Sequence, residues 1–253
     1  MSAAILRINP VAKIAAGLLI GLVLVLTLDW VSGVVALVLE AAVLPFAGVS
    51  WRAFWLRTAP VWIAAPLVSI TVALYGRASG HVYFSWLLAN VTDGSLALAL
   101  ATGIRILAIA LPAIVLFITV DPTDLADGLA QVLRLPSRFV LGSLAALRLV
   151  GMFLDDWRSL ELARRARGVG DRNPIRRLFG QLFALLVLSI RRGSKLATAM
   201  EARGFGAPIT RTWARPSSFG WPEIVLLLIG AGIAAVAIGA SVLAGTWSFF
   251  GAR

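Results

Sequence analysis

The tripeptide Ala-Arg-Gly occurs twice in one basic stretch, as Ala166-Arg167-Gly168 within "ELARRARGVG" and as Ala202-Arg203-Gly204 within "AMEARGFGAP". Each copy closes a run of helix-forming residues. An arginine in a last helical turn meets the negative end of the helix dipole, and glycine after it takes the left-handed cap, so one copy alone is an ordinary way to end a helix. Two copies ask for more. A free guanidinium at a helix tip is a fork that fits a carboxylate on another molecule, and the adjoining glycine lets two backbones approach. The repetition is therefore read as a pair of matched contacts.

Other residues able to do chemistry are few. Glu40 and Arg105 are ionisable groups inside apolar runs, where such groups are costly and face the interior of a bundle. Counting along their runs puts both near mid-bilayer, and they are expected to form an intramembrane ion pair. A stand-alone secondary transporter using Glu40 and Arg105 is the alternative reading, but the internal repeats and matching broken helices of such proteins are not found. Asp155 and Asp156 adjoin in a helix and point about 100° apart, so they offset arginines rather than share a site. The single histidine, His81, lies in a loop beside Tyr83 and suits a membrane interface. There is no cysteine. No metal site, cofactor or catalytic set is expected, and no G-x-x-x-x-G-K-[ST] phosphate loop is present. A basic module for RNA or anionic lipid would interleave exposed aromatics with its cations. Here Phe179 and Phe183 fall on an apolar stripe, so no nucleic-acid partner is expected.

The elements that carry these residues follow from composition. The 253 residues are 60% hydrophobic and only 14% charged, the balance of an integral membrane protein whose first partner is the lipid bilayer. "MSAAILRINPVAK" lacks the pattern of a cleavable signal, so the apolar run after it is read as a permanent anchor. Runs at 14–28, 31–49, 59–75, 96–119 and 222–246 approach or exceed the length of about 20 apolar residues that a span requires. Lys13 is expected to snorkel to the interface. Residues 121–220 hold 16 of the 23 basic and 8 of the 12 acidic residues. Apolar runs inside that stretch, 139–154 and 178–190, have basic residues on both flanks, against a single crossing. The fold class is thus all-α membrane protein, with about five transmembrane helices and a cytoplasmic helical coupling region. N-terminal spans are expected over 1–120, coupling helices over 121–220, and a C-terminal span over 221–253. Within the middle part, helices are expected at 123–135, 137–167 and 174–203, the last opened by Asn173-Pro174. Their apolar faces are expected to pack on one another and on the bundle. No strand is expected.

This order of spans, "DPTDL" opening a basic helical block, and then "ELARRARG" and "AMEARGFG", resembles the transmembrane T component of energy-coupling factor importers of vitamins and metal ions. The start "RINPVAK" is similar to that family's N-terminus, and the likeness covers nearly the whole chain. It implies a multi-pass protein of the cell membrane whose two Ala-Arg-Gly motifs dock two cytoplasmic ABC-type ATPase subunits, Arg167 and Arg203 each engaging one. It further implies that ATP-driven motion is passed to a separate substrate-binding membrane subunit, the S component. A chain with spans and no phosphate loop must in any case borrow its energy, and rigid helices tilting against the bundle would transmit it.

Overall fold

The computed structural model describes residues 8–27, 29–77, 79–86, 89–168, 174–207 and 212–247. The chain divides into two compact units, one of Met1–Leu125 with Ser218–Arg253 and the other of Ala126–Ser217. We call them the bundle unit and the inserted unit.

Local chemistry sets where each bundle helix begins. Asn9 caps α1 (Pro10–Val25), its side chain accepting from the Val11 N–H at 3.1 Å, and Pro10 fills the first position, where no N–H is needed. Asp29 caps α2 (Trp30–Val43) by accepting from the Ser32 N–H at 2.7 Å. Pro45 tightens the next residues into a 3-10 turn, Leu44–Ala47, closed by Gly48. Ser50 caps α3 (Trp51–Tyr75), which carries Pro60 and Pro66 inside it. Thr92 and Ser95 form a capping box that starts α4 (Asp93–Ile118). The last bundle helix is α8 (Trp221–Leu243). Among the described residues, α3, α4, α8 and, in the inserted unit, the helix Ser137–Ala166 are long and apolar enough to cross a membrane, whereas α1 and α2 are shorter apolar helices. The protein is a helical membrane protein.

One element departs from the expected pattern. Strands β1 (Val82–Trp86) and β2 (Ala89–Thr92) pair antiparallel, with Phe84 opposite Val91 and Ser85 opposite Asn90. The run Val-Tyr-Phe-Ser-Trp has strong β character, but five residues beside a glycine read equally as an interfacial loop until a partner strand is in place.

Close contacts order the bundle helices. Gly230 of α8 packs on Ala16 of α1, and Asn9 meets Glu223, so α8 runs parallel to α1. Gly17 and Gly21 of α1 face Ala113 and Ile109 of α4, an antiparallel pairing. Gly33 of α2 packs on Ile104 of α4, and Gly103 of α4 on Ser69 of α3. Small residues at these crossings let helices approach without a hydrophobic driving force, as helix association in lipid requires. Ile20, Leu24, Ala36, Ala108, Ile233 and Ala237 form the largest core cluster. The start of α1, the turn between α2 and α3, the end of α4 and the start of α8 consequently share one end of the bundle. Lys13 does not snorkel. It is 1% exposed and donates from Nζ to the Thr119 carbonyl at 3.0 Å, because the C-terminal carbonyls of α4 lie within its reach.

The inserted unit holds most of α5 (Pro122–Gln131), together with α6 (Ser137–Ala166) and α7 (Pro174–Ala202). Asn173, expected to open α7, lies outside the described residues. Ala126, Ala130 and Val140 make a small core with Leu129, Leu144 and Trp213. Gln131 ties the returning chain to α5, donating to the Arg215 carbonyl at 2.9 Å and accepting from the Ser217 N–H at 2.8 Å. The apolar stripe of α7 remains uncovered. Ile175, Leu178, Phe179, Leu182, Phe183 and Leu186 are all exposed, so the expected packing of this face on the neighbouring helix of the inserted unit is not found.

A methyl group built on Gly33 would stand 2.8 Å from Ile104 Cγ2, a branch that cannot swing aside, whereas one on Gly232 meets nothing within 4 Å. Gly33→Ala should therefore cost about 1–3 kcal/mol of stability, and Gly232→Ala should be neutral or gain up to about 1 kcal/mol. Melting temperatures of the two variants in detergent check this ordering.

Candidate coupling site

Both Ala-Arg-Gly copies end their helices in the same way. At the first, Arg167 is the C-cap of α6 and Gly168 follows with φ of 67°, its N–H donating to the Arg165 carbonyl at 3.0 Å. At the second, Gly204 takes φ of 76° after Arg203, its N–H donating to the Glu201 carbonyl at 2.9 Å, and the Phe205 N–H reaches the Met200 carbonyl at 3.0 Å. The second set is a complete Schellman motif. A Cβ on either glycine would meet no atom within 4 Å, so the backbone angle and not crowding calls for glycine there. The caps explain the glycines and leave the arginines unexplained.

The neighbouring cations are occupied within the inserted unit. Glu161 pairs with Arg165 at 2.6 Å and with Arg177 at 2.5 Å, Asp156 takes both terminal nitrogens of Arg192 at 2.6 and 3.3 Å, and Arg164 donates to the Arg177 carbonyl at 3.3 Å. Asp155 stands 4.0 Å from Arg158. The two aspartates thus offset arginines, as their spacing suggested. By contrast, Arg167 and Arg203 are exposed, and neither guanidinium has a hydrogen bond or ion pair to a described residue. In the cluster Arg164, Arg165 and Arg167, the third alone makes no polar contact among the described residues.

The structure does not bring the two motifs together. Glu161 faces Arg177, Asp156 faces Arg192, and Arg138 and Gly142 share a hollow with Met200 and Phe205, so α6 and α7 run antiparallel. Their C-termini therefore point opposite ways. Arg167 and Arg203 sit at opposite ends of the pair, separated by about 40 Å at 1.5 Å rise per residue. Ala166 and Ala202, the last helical residue before each arginine, are exposed and leave both tips clear. One compact ligand cannot touch both.

The expected Glu40–Arg105 ion pair does not form. Glu40 is 3% exposed, and neither of its carboxylate oxygens has a hydrogen-bond partner. Arg105 Nη2 is likewise buried without one, and the acidic group that acts on Arg105 is Asp29. Register is the reason. Gly33 packs against Ile104, and a Cβ built on it would stand 3.7 Å from the Arg105 backbone nitrogen, so Glu40, seven residues further along the parallel α2, is displaced by about 10 Å. It lines a hollow with Leu111 and Val115 instead. Nor is it central, because α2 stops at Val43 and leaves Glu40 in the last turn. Among the described residues no group of three or more His, Cys, Asp or Glu is placed to hold a metal ion.

Known proteins resemble this chain over most of its length. The family model described as CbiQ, cobalt transport protein, matches residues 1–212. The energy-coupling factor transporter transmembrane protein EcfT of Limosilactobacillus fermentum is 28% identical over 207 residues, 74% of this chain and 77% of that one. EcfT of Brevibacillus brevis is 27% identical over 182 residues, covering 67% and 68% of the two chains. EcfT 1 of Listeria monocytogenes is 26% identical over 242 residues, covering 87% and 89%.

Removing an orphan buried carboxyl group relieves a desolvation cost with no partner to strand. Glu40→Met should therefore raise stability by about 1–3 kcal/mol. Combined with Arg105→Met, it should be additive to within about 0.5 kcal/mol. Melting of the two single variants and the double variant tests this, and strong coupling between the positions would restore the ion pair.

Proposed function

The chain belongs to the CbiQ cobalt transport protein family, and from that membership we propose that it is the membrane scaffold of an energy-coupling factor importer. In this reading it is a non-catalytic subunit. It receives ATP-driven motion from two cytoplasmic ABC-type ATPases and passes it to a separate S component that binds a vitamin or a metal ion. The observation that carries the reading is the pair of matched arginines at opposite ends of α6 and α7, neither engaged by a described residue. Two like tips about 40 Å apart suit two like partners, each offering a carboxylate in a groove.

Charge supports the orientation. The bundle end from which the inserted unit departs and to which it returns carries Lys13, Arg52 and Arg57, whereas the opposite end carries Arg77. The inserted stretch itself adds most of the remaining cations. The positive-inside bias supports a cytoplasmic orientation for this end, and the basic composition of the inserted stretch supports the same for the coupling region. The exposed aromatics Trp51 and Trp55 beside Arg52 and Arg57 suit the same interface. Selectivity for the transported substance would then reside in the partner polypeptide.

Arg167→Ala and Arg203→Ala should each weaken retention of the ATPases in a pull-down from mild detergent, by about 2–5 kcal/mol if each contact is a buried charge pair. The double variant should lose them. Retention by the double variant would remove the docking role. Orientation is checked separately, because the chain has no native cysteine. Cysteine at Ser143 should resist a membrane-impermeant thiol reagent in intact cells, and cysteine at Ser79 should react.

A further inference from the structure

We infer that the first turn of α1 is the fulcrum through which movement of the inserted unit enters the membrane bundle, with Asn9 and Lys13 as its positioning residues. The inference rests on the proposed coupling role and adds to it the residues that carry the motion onward.

Two polypeptide connections join the inserted unit to the bundle, one following α4 and one preceding α8. A side chain of α1 grips each of them. On the departing side, Lys13 Nζ donates to the carbonyl of Thr119, the C-cap of α4, at 3.0 Å. The Asp124 carboxylate, in the first turn of α5, acts on the same ammonium. α5 begins at Pro122, three residues past Thr119, and Asp121 caps it by accepting from the Thr123 N–H at 2.7 Å. A tilt of α5 therefore pulls directly on the atom that Lys13 holds. On the returning side, Asn9 Nδ2 donates to the Ser218 carbonyl at 3.0 Å, and the Asn9 N–H donates to Glu223 Oε1 at 3.0 Å. Glu223 Oε2 in turn accepts from the Gly220 N–H at 2.8 Å.

These contacts exceed what stability asks of the site. Asn9, Lys13 and Glu223 are 6%, 1% and 6% exposed, and an ammonium one turn into an apolar helix is costly where an aliphatic residue of the same length would pack. Charge-assisted hydrogen bonds are short and directional, so they hold a carbonyl at a set distance where an apolar contact would slide. One rigid turn holds both connections. Displacement of either reaches α1, and α1 packs along α4 and α8 through Gly17, Gly21 and Gly230.

The test uses the complete complex of this chain with its ATPases and substrate-binding subunit, reconstituted in lipid, with spin labels on introduced cysteines. A Ser143–Ile63 pair reports the inserted unit against α3, and a Leu18–Ile63 pair reports α1 against α3. Leu18 and Ile63 are 68% and 70% exposed, so labels there disturb no core. In the parent complex, ATP should change both distances. In Lys13→Met and in Asn9→Ser the ATPases should remain bound and the Ser143–Ile63 change should persist, while the Leu18–Ile63 change is lost. Lys13→Arg should restore it. A merely structural role would lower melting temperature and assembly together and would not separate the two distances. Asn9→Ser keeps an oxygen to cap Val11, so it decides the matter if Lys13→Met does not fold. An unchanged Leu18–Ile63 response in the variants, or none in the parent complex, overturns the inference. A parent complex that binds no ATPase overturns the coupling role itself.

Discussion

Polar groups at the start of α1 are buried at one end of the bundle and have to find partners there, and the way they do so governs the rest of the bundle. The Asn9 N–H lies before the helix and turns to Glu223, while the Lys13 ammonium is taken by the open carbonyl end of α4. Each bond satisfies a group on both sides, since helix ends leave N–H and carbonyl groups without intrahelical partners. The consequence reaches across the sequence. Residues 214 and 106 positions apart are brought to one turn, so α8 can close the bundle beside α1 despite the long insertion between α4 and α8.

With that end closed, small residues set the depth at which each helix crosses its neighbour. Gly33 against Ile104 fixes α2 on α4, and this register carries Arg105 toward Asp29 and away from Glu40. Two charges that look level when counted from the ends of their apolar runs are a full two turns apart once the contact is made. Glu40 is left among Leu37, Leu111 and Val115, in the last turn of a helix that Pro45 helps to stop early.

The inserted unit is held by different forces. Its small core and the Gln131 bonds hold α5 to the returning chain, and ion pairs set α7 antiparallel to α6. Antiparallel pairing of two helices that end in the same motif necessarily places the motifs far apart. Internal pairing of Arg164, Arg165, Arg177 and Arg192 also sorts the basic stretch, leaving Arg167 and Arg203 to face outward. The exposed apolar stripe of α7 shows that this unit leaves part of its own hydrophobic surface unburied.

Much of this is legible in the residues themselves. Apolar length, caps such as Asp29 and Ser50, the proline starts of α1 and α7, and glycine at Gly168 and Gly204 act over a few residues, so α6 and α7 end within one residue of where their sequence indicates. The repeated tripeptide is legible for the same reason. What tertiary structure alone decided depends on which residues lie opposite one another. Lys13 faces a carbonyl rather than the interface, Glu40 misses Arg105, Arg167 rather than Arg164 or Arg165 is without a polar partner among the described residues, and Val82–Trp86 finds a strand partner. Each of these turns on a helix register or a strand pairing between distant segments. A shift of seven residues, about 10 Å along a helix, changes every such partnership while leaving local propensity untouched.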